Sequence, residues 1–89
     1  MGNDSRYDDV YKKVKEVIAE VFNTDESELS LETRFADDLD AESLDIITLL
    51  MEFEEAFDRR IPDEDAEKLV TIGSAVDYIM GMLGDTSET

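Results

Sequence analysis

Phe35-Ala-Asp-Asp-Leu-Asp-Ala-Glu-Ser43-Leu-Asp-Ile-Ile-Thr-Leu-Leu-Met-Glu-Phe-Glu-Glu-Ala-Phe57 decides the fold, because it changes character at Ser43. Before the serine, acidic residues separate isolated apolar ones, as in a loop. From Ser43 to Phe57 apolar residues recur at helical spacing, and the helix must stop before Arg60-Ile61-Pro62, since a residue preceding proline is pushed out of helical space. On a wheel of about 100° per residue this helix carries two apolar stripes. Ile46, Leu49, Leu50, Phe53 and Phe57 form a core-facing one, while Leu44, Ile47 and Met51 form a second, set apart from it. Asp45, Thr48, Glu52 and Glu55 lie between them. Two uses fit the second stripe equally well: a bare patch for a basic, partly apolar partner, or a seat for another helix.

Working outward, Tyr7, Val10, Tyr11, Val14, Val17, Ile18 and Val21 recur every three or four positions and predict a first helix over Tyr7–Phe22. Residues Asn23 to Asp40 read as a long ordered loop pinned by buried Leu29, Leu31, Phe35 and Leu39. Asp63–Lys68 predicts one or two short helical turns, and Thr71 or Ile72 to Leu83 a last helix with Ile72, Ala75, Val76, Ile79 and Leu83 on one side. The expectation is an all-α, four-helix bundle of three longer helices and a short third one. It forms a single domain over 1–89, with ends frayed at 1–5 and 84–89.

Composition narrows the function. The 89 residues hold 25 acidic against 8 basic side chains, a formal charge of −17, with 42% hydrophobic residues. Such a chain buries enough apolar surface to fold, repels nucleic-acid phosphates and anionic membranes, and attracts basic protein surfaces. No apolar run approaches the roughly 20 residues that span a bilayer, and no leader is evident. A cytoplasmic monomer without nucleic-acid binding or stable membrane insertion is expected. Cysteine and histidine are both absent, so Ser-His and Cys-His nucleophile pairs and thiolate metal sites are excluded. Adjacent carboxylates such as Glu54 and Glu55 point in different directions on a helix and read as a solvated face rather than a catalytic pair. A calcium loop starting at Asp38 fails too: Ser43 stands where its sharp-turn glycine belongs and Leu49 where its bidentate glutamate belongs.

Ser43 is the candidate site. A helix N-terminus favours a phosphodiester through its free N–H donors and partial positive charge, but a serine there also serves simply as a cap.

The surrounding residues carry a resemblance that weighs on this choice. Phe35-Ala-Asp-Asp-Leu39, Ser43-Leu-Asp45, Glu54-Glu-Ala-Phe57-Asp58, Ile61-Pro-Asp-Glu-Asp-Ala-Glu-Lys68 and Thr71-Ile-Gly-Ser-Ala-Val-Asp-Tyr-Ile79 together resemble the acyl carrier protein family along nearly the whole chain. The resemblance implies that Ser43 receives a 4′-phosphopantetheine arm from coenzyme A through a phosphopantetheinyl transferase. It implies a carrier without catalysis of its own, presenting acyl groups to acyl-transferring or synthase enzymes of fatty-acid, lipid or polyketide biosynthesis that bear basic patches. Such an arm supplies the thiol that this cysteine-free chain lacks. Partner contacts are then expected at Asp38, Glu42, Leu44, Asp45, Ile47, Met51, Glu52 and Glu55, and an acyl-sheltering interior at Ile46, Leu50, Phe53, Ile61, Leu69 and Ile79. No metal ligands are expected. Five positions depart from the family pattern: Asp40 stands for a glycine, Glu42 for an aspartate, Thr48 for a glutamate, and Arg59-Arg60 add positive charge, which together suggest a specialised carrier. The competing expectation is an acidic helical adaptor without a prosthetic group, in which Ser43 would be dispensable.

Overall fold

The computed structural model describes residues 3–88, and side chains over 7–83. Three α-helices, α1 (Asn3–Phe22), α2 (Ser43–Phe57) and α3 (Ile72–Glu88), are joined by two 3₁₀ segments, η1 (Glu26–Glu28) and η2 (Asp63–Lys68). The all-α, four-helix architecture with a short third member is as expected, and α2 has the bounds its periodicity predicted. The first helix starts at Asn3, before the expected Tyr7, and the short third helix winds as 3₁₀. The expected fraying at 1–5 and 84–89 concerns residues whose side chains lie outside those described.

α1 packs against both α2 and α3, and η2 bridges α2 and α3 from the other side. The core is built from the predicted stripes: Val10, Val14 and Ile18 of α1, Leu49, Leu50 and Phe53 of α2, and Ile72, Ala75, Val76 and Ile79 of α3. Ile61 and Leu69, at either end of η2, close it. Each large apolar side chain here contributes about 1.5–3 kcal/mol by leaving water. η2 contributes no buried residue of its own, so its two flanking anchors and a few polar ties hold it in place.

Both α1 and α2 end by the same device. Thr24 N–H donates to the Ala19 carbonyl at 3.0 Å and Arg59 N–H to the Glu54 carbonyl at 3.2 Å. The residue just before each donor turns left-handed, Asn23 and Asp58 both at φ 54°. This closes the last turn and satisfies carbonyls that the helix leaves open. α3 starts with a reciprocal cap: Ser74 N–H donates to Thr71 Oγ1 at 3.0 Å, and Thr71 N–H to Ser74 Oγ at 2.9 Å.

The long loop between α1 and α2 is held against that same helix start. Phe35 N–H donates to the Val70 carbonyl, Ile72 N–H to Thr33 and Gly73 N–H to Leu31, all at 2.9–3.1 Å. A side chain at Gly73 would bring its Cβ to 3.0 Å from the Leu31 carbonyl oxygen, which is why a glycine stands at this approach. Leu29 and Phe35 are buried as expected and Leu39 half so. Leu31 is not: it is 37% exposed, since its carbonyl rather than its side chain makes the contact with α3.

Candidate functional site

Ser43 opens α2 but does not cap it. The capping residue is Glu42, in extended conformation (φ −105°, ψ 172°), and its N–H donates to Asp45 Oδ2 at 3.0 Å. Ser43 is exposed, and no hydrogen bond among the described residues engages its hydroxyl. The cap reading of this serine therefore fails: a carboxylate pair does that work and leaves Oγ free at the positive end of a 15-residue helix.

The loop leading to Ser43 is folded back on itself. Asp38 N–H and Leu39 N–H both donate to the Arg34 carbonyl, at 2.8 and 3.2 Å, and Asp38 Oδ2 accepts the Arg34 N–H at 2.8 Å. Ala41 N–H then donates to the Phe35 carbonyl at 2.8 Å. The turn passes through Asp40 at φ 56°, a left-handed conformation that glycine adopts without strain. A glycine, as in the family pattern, would suit this conformation, and here the aspartate adopts it.

Beside Ser43 lies an open cleft of about 340 Å³. Ala36, Ala41, Ile46, Leu69 and Val70 give it apolar walls, and Arg34 is the one cation among its lining residues. A 4′-phosphopantetheine fits this setting: an unengaged exposed hydroxyl at a helix N-terminus suits the phosphodiester, and a mixed apolar and polar cleft suits the arm.

The expected acyl-sheltering residues fall into two groups. Ile46 and Leu69 line this cleft, whereas Leu50, Phe53, Ile61 and Ile79 lie in the packed core, each no more than 3% exposed. The expected partner residues divide by role. Leu44 and Met51 are 73% and 57% exposed, so these two members of the second stripe of α2 form a bare patch that no helix among the described residues covers. Ile47 is half-buried against the core, and Glu42, Glu52 and Glu55 are exposed. Asp38 and Asp45 already serve the loop and the cap. Thr48, in place of the family's glutamate, turns its hydroxyl back to the Leu44 carbonyl at 3.1 Å.

Several working residues escaped the sequence reading. Glu54 is not a solvated neighbour of Glu55: it is half-buried, and its Oε2 accepts the Ile61 N–H at 2.8 Å. Tyr78 donates its hydroxyl to Asp65 Oδ2 and so ties α3 to η2, while Lys68 Nζ, 3.6 Å from Asp65 Oδ1, pairs with the same carboxylate within η2. Desolvation, with that hydrogen bond and the Asp65 charge, pushes the Tyr78 phenol up to about 12. Spacing alone gave no signal for these pairs, which join residues 7 and 13 positions apart. Among the described residues no group of three or more carboxylates converges to hold a metal ion, and no helix is long and apolar enough to cross a membrane.

Comparison with known proteins agrees with this geometry. The model of the phosphopantetheine attachment site family matches residues 12–79. The acyl carrier protein of Rubrobacter xylanophilus is 47% identical over 73 residues, covering 82% of this chain and 90% of that protein. The acyl carrier protein of Clostridium acetobutylicum is 49% identical over 70 residues, covering 79% and 91%. With a family match spanning most of its length and relatives aligned almost end to end, this chain belongs to the acyl carrier protein family.

Proposed function

We propose that Ser43 is the residue through which this acyl carrier protein holds its covalent 4′-phosphopantetheine. The observation that carries the assignment is the exposed, unengaged Ser43 hydroxyl at the start of α2, freed from capping by Glu42 and Asp45. When bound, 4′-phosphopantetheine supplies the thiol on which acyl groups are held as thioesters. The chain is a carrier and not a catalyst, so its residues position and present. The proton that leaves Ser43 Oγ during attachment goes to a base outside this chain, which has neither histidine nor cysteine and, among the described residues, places no acceptor on that hydroxyl. Ile46 and Leu69 form the mouth of the interior, with Leu50, Phe53, Ile61 and Ile79 beneath; an acyl chain entering there parts a core that is closed in this structure.

Partner enzymes, among them a phosphopantetheinyl transferase and acyl-transferring or synthase enzymes of fatty-acid, lipid or polyketide biosynthesis, meet the Leu44 and Met51 patch. Glu42, Glu52 and Glu55 steer their basic surfaces, and Asp38, Asp45 and Ile47 shape the edge. We read the chain as one domain over 1–89, acting as a cytoplasmic monomer.

Intact mass before and after incubation with coenzyme A and a broad-specificity phosphopantetheinyl transferase tests the attachment. The expected result is a gain of one phosphopantetheine in the apo protein and none in Ser43→Ala. Uptake by the alanine variant overturns the assignment to Ser43.

A further inference from the structure

Arg34 occupies an unusual place in a chain of charge −17. It sits on the wall of the same cleft that Ser43 lines, and every other charged residue of that cleft, Asp37 and Glu42, is acidic. The fold brings the two residues together through the backbone. Phe35 is anchored in the core at 1% exposure, its N–H is tied to Val70 and its carbonyl receives the Ala41 N–H. Arg34 is thus one residue, and Ser43 two, from the ends of a single 2.8 Å hydrogen bond.

The Arg34 guanidinium is held only lightly. Its Nη1 lies 3.0 Å from Asp37 Oδ2, with the two side chains 58% and 66% exposed. Water and salt weaken such a pair, and exchanging it for another anion is cheap. The Arg34 backbone, by contrast, is fixed by Asp38 on its N–H and by two donors on its carbonyl. A rigid base with a mobile cationic head is suited to follow a charge that arrives after folding. Attachment at Ser43 delivers such a charge, a phosphodiester monoanion, into a neighbourhood where Glu42 and Asp37 repel it. A guanidinium fork matches phosphate oxygens in pairs and binds them more strongly than it binds one carboxylate oxygen.

We propose that Arg34 is a phosphate-binding residue of this carrier, leaving Asp37 to pair with the phosphodiester on Ser43 once the prosthetic group is attached. The proposal rests on Ser43 as the attachment residue. In it the apo and holo forms differ by a defined ionic switch in the cleft, so the loop before α2 is stiffer in the holo protein.

The test compares apo and holo forms of the wild type and of Arg34→Gln, with intact mass establishing each state. The difference in melting temperature between holo and apo should be more favourable in the wild type than in the variant by roughly 2–5 °C, and the gap should close in high salt. Asp37→Asn, which removes the competitor, should keep or widen it. In the wild type the Arg34 Nε–Hε resonance should shift on conversion from apo to holo. Equal holo-minus-apo differences in wild type and Arg34→Gln, together with an unmoved Arg34 resonance, would overturn the proposal while leaving Ser43 assigned. Attachment at a residue other than Ser43 would overturn both.

Discussion

Glu54 and Ile61 are joined across the corner between α2 and η2: the carboxylate Oε2 accepts the Ile61 amide hydrogen at 2.8 Å. Proline at 62 ends the helical path, and Ile61 turns inward to 3% exposure, so its N–H has no helical partner. The Glu54 side chain replaces that partner from one helical turn before the end of α2. The corner is the hinge by which η2, with no buried residue of its own, is kept over the core.

Removing the acceptor should therefore cost more than an exposed glutamate would suggest. Glu54→Ala leaves a sheltered N–H unsatisfied and should destabilise the fold by about 1–3 kcal/mol, while Glu54→Gln, which keeps an oxygen in place, should retain most of the stability. Urea unfolding of the two variants checks this. Equal losses would show that charge rather than hydrogen bonding matters at the corner.

Asp58 should prefer to be glycine. It is left-handed at the end of α2, where its side chain also places negative charge at the negative end of the helix dipole. Asp58→Gly should raise stability by about 0.5–1 kcal/mol, and Asp58→Ala, which keeps the left-handed strain, should gain less or lose. Asp40→Gly should behave in the same direction at φ 56°. Thermal melts of the four proteins, wild type included, decide the order.

Tyr78 predicts how the fold fails in alkali. Its phenol is raised from 10.0 to about 12 by desolvation, the hydrogen bond to Asp65 and the Asp65 charge. The folded state thus holds this proton more tightly than the unfolded state does. The stability it contributes is complete below pH 10 and is lost as pH rises from there through about 12. Absorbance titration near 295 nm should show a late tyrosine ionisation approaching pH 12, and Tyr78→Phe should remove that late step and flatten the alkaline loss of stability. A late step that survives in the phenylalanine variant would assign it elsewhere.

The bare patch of α2 should separate function from stability. Leu44 and Met51 are 73% and 57% exposed, so Leu44→Ala and Met51→Ala should change stability by less than about 0.5 kcal/mol. The same variants should slow phosphopantetheinyl transfer to Ser43, measured as the rate of mass gain. Unchanged rates at unchanged stability would move the docking surface away from this stripe.

The sequence by itself determined the helices, the core and the place of Ser43, because these depend on short-range patterns. The stripes of α1, α2 and α3 supply the helical part of the core, with Tyr7, Tyr11, Val17, Val21, Ile46, Phe57 and Leu83 of those stripes only partly buried at its edges, and Pro62 ends the second helical run where its geometry demands. What only the tertiary structure decided are contacts made between elements: that Leu44 and Met51 stay uncovered, that Leu31 faces water, that Glu42 and Asp45 relieve Ser43 of capping, and that Glu54 and Tyr78 hold η2. Two stripes on one helix look the same in sequence whether or not a neighbour covers the second. A carboxylate likewise reads as solvated until the chain brings a donor to it from 7 or 13 residues away. Periodicity encodes which way a side chain points from its own helix; what it meets there is set by packing.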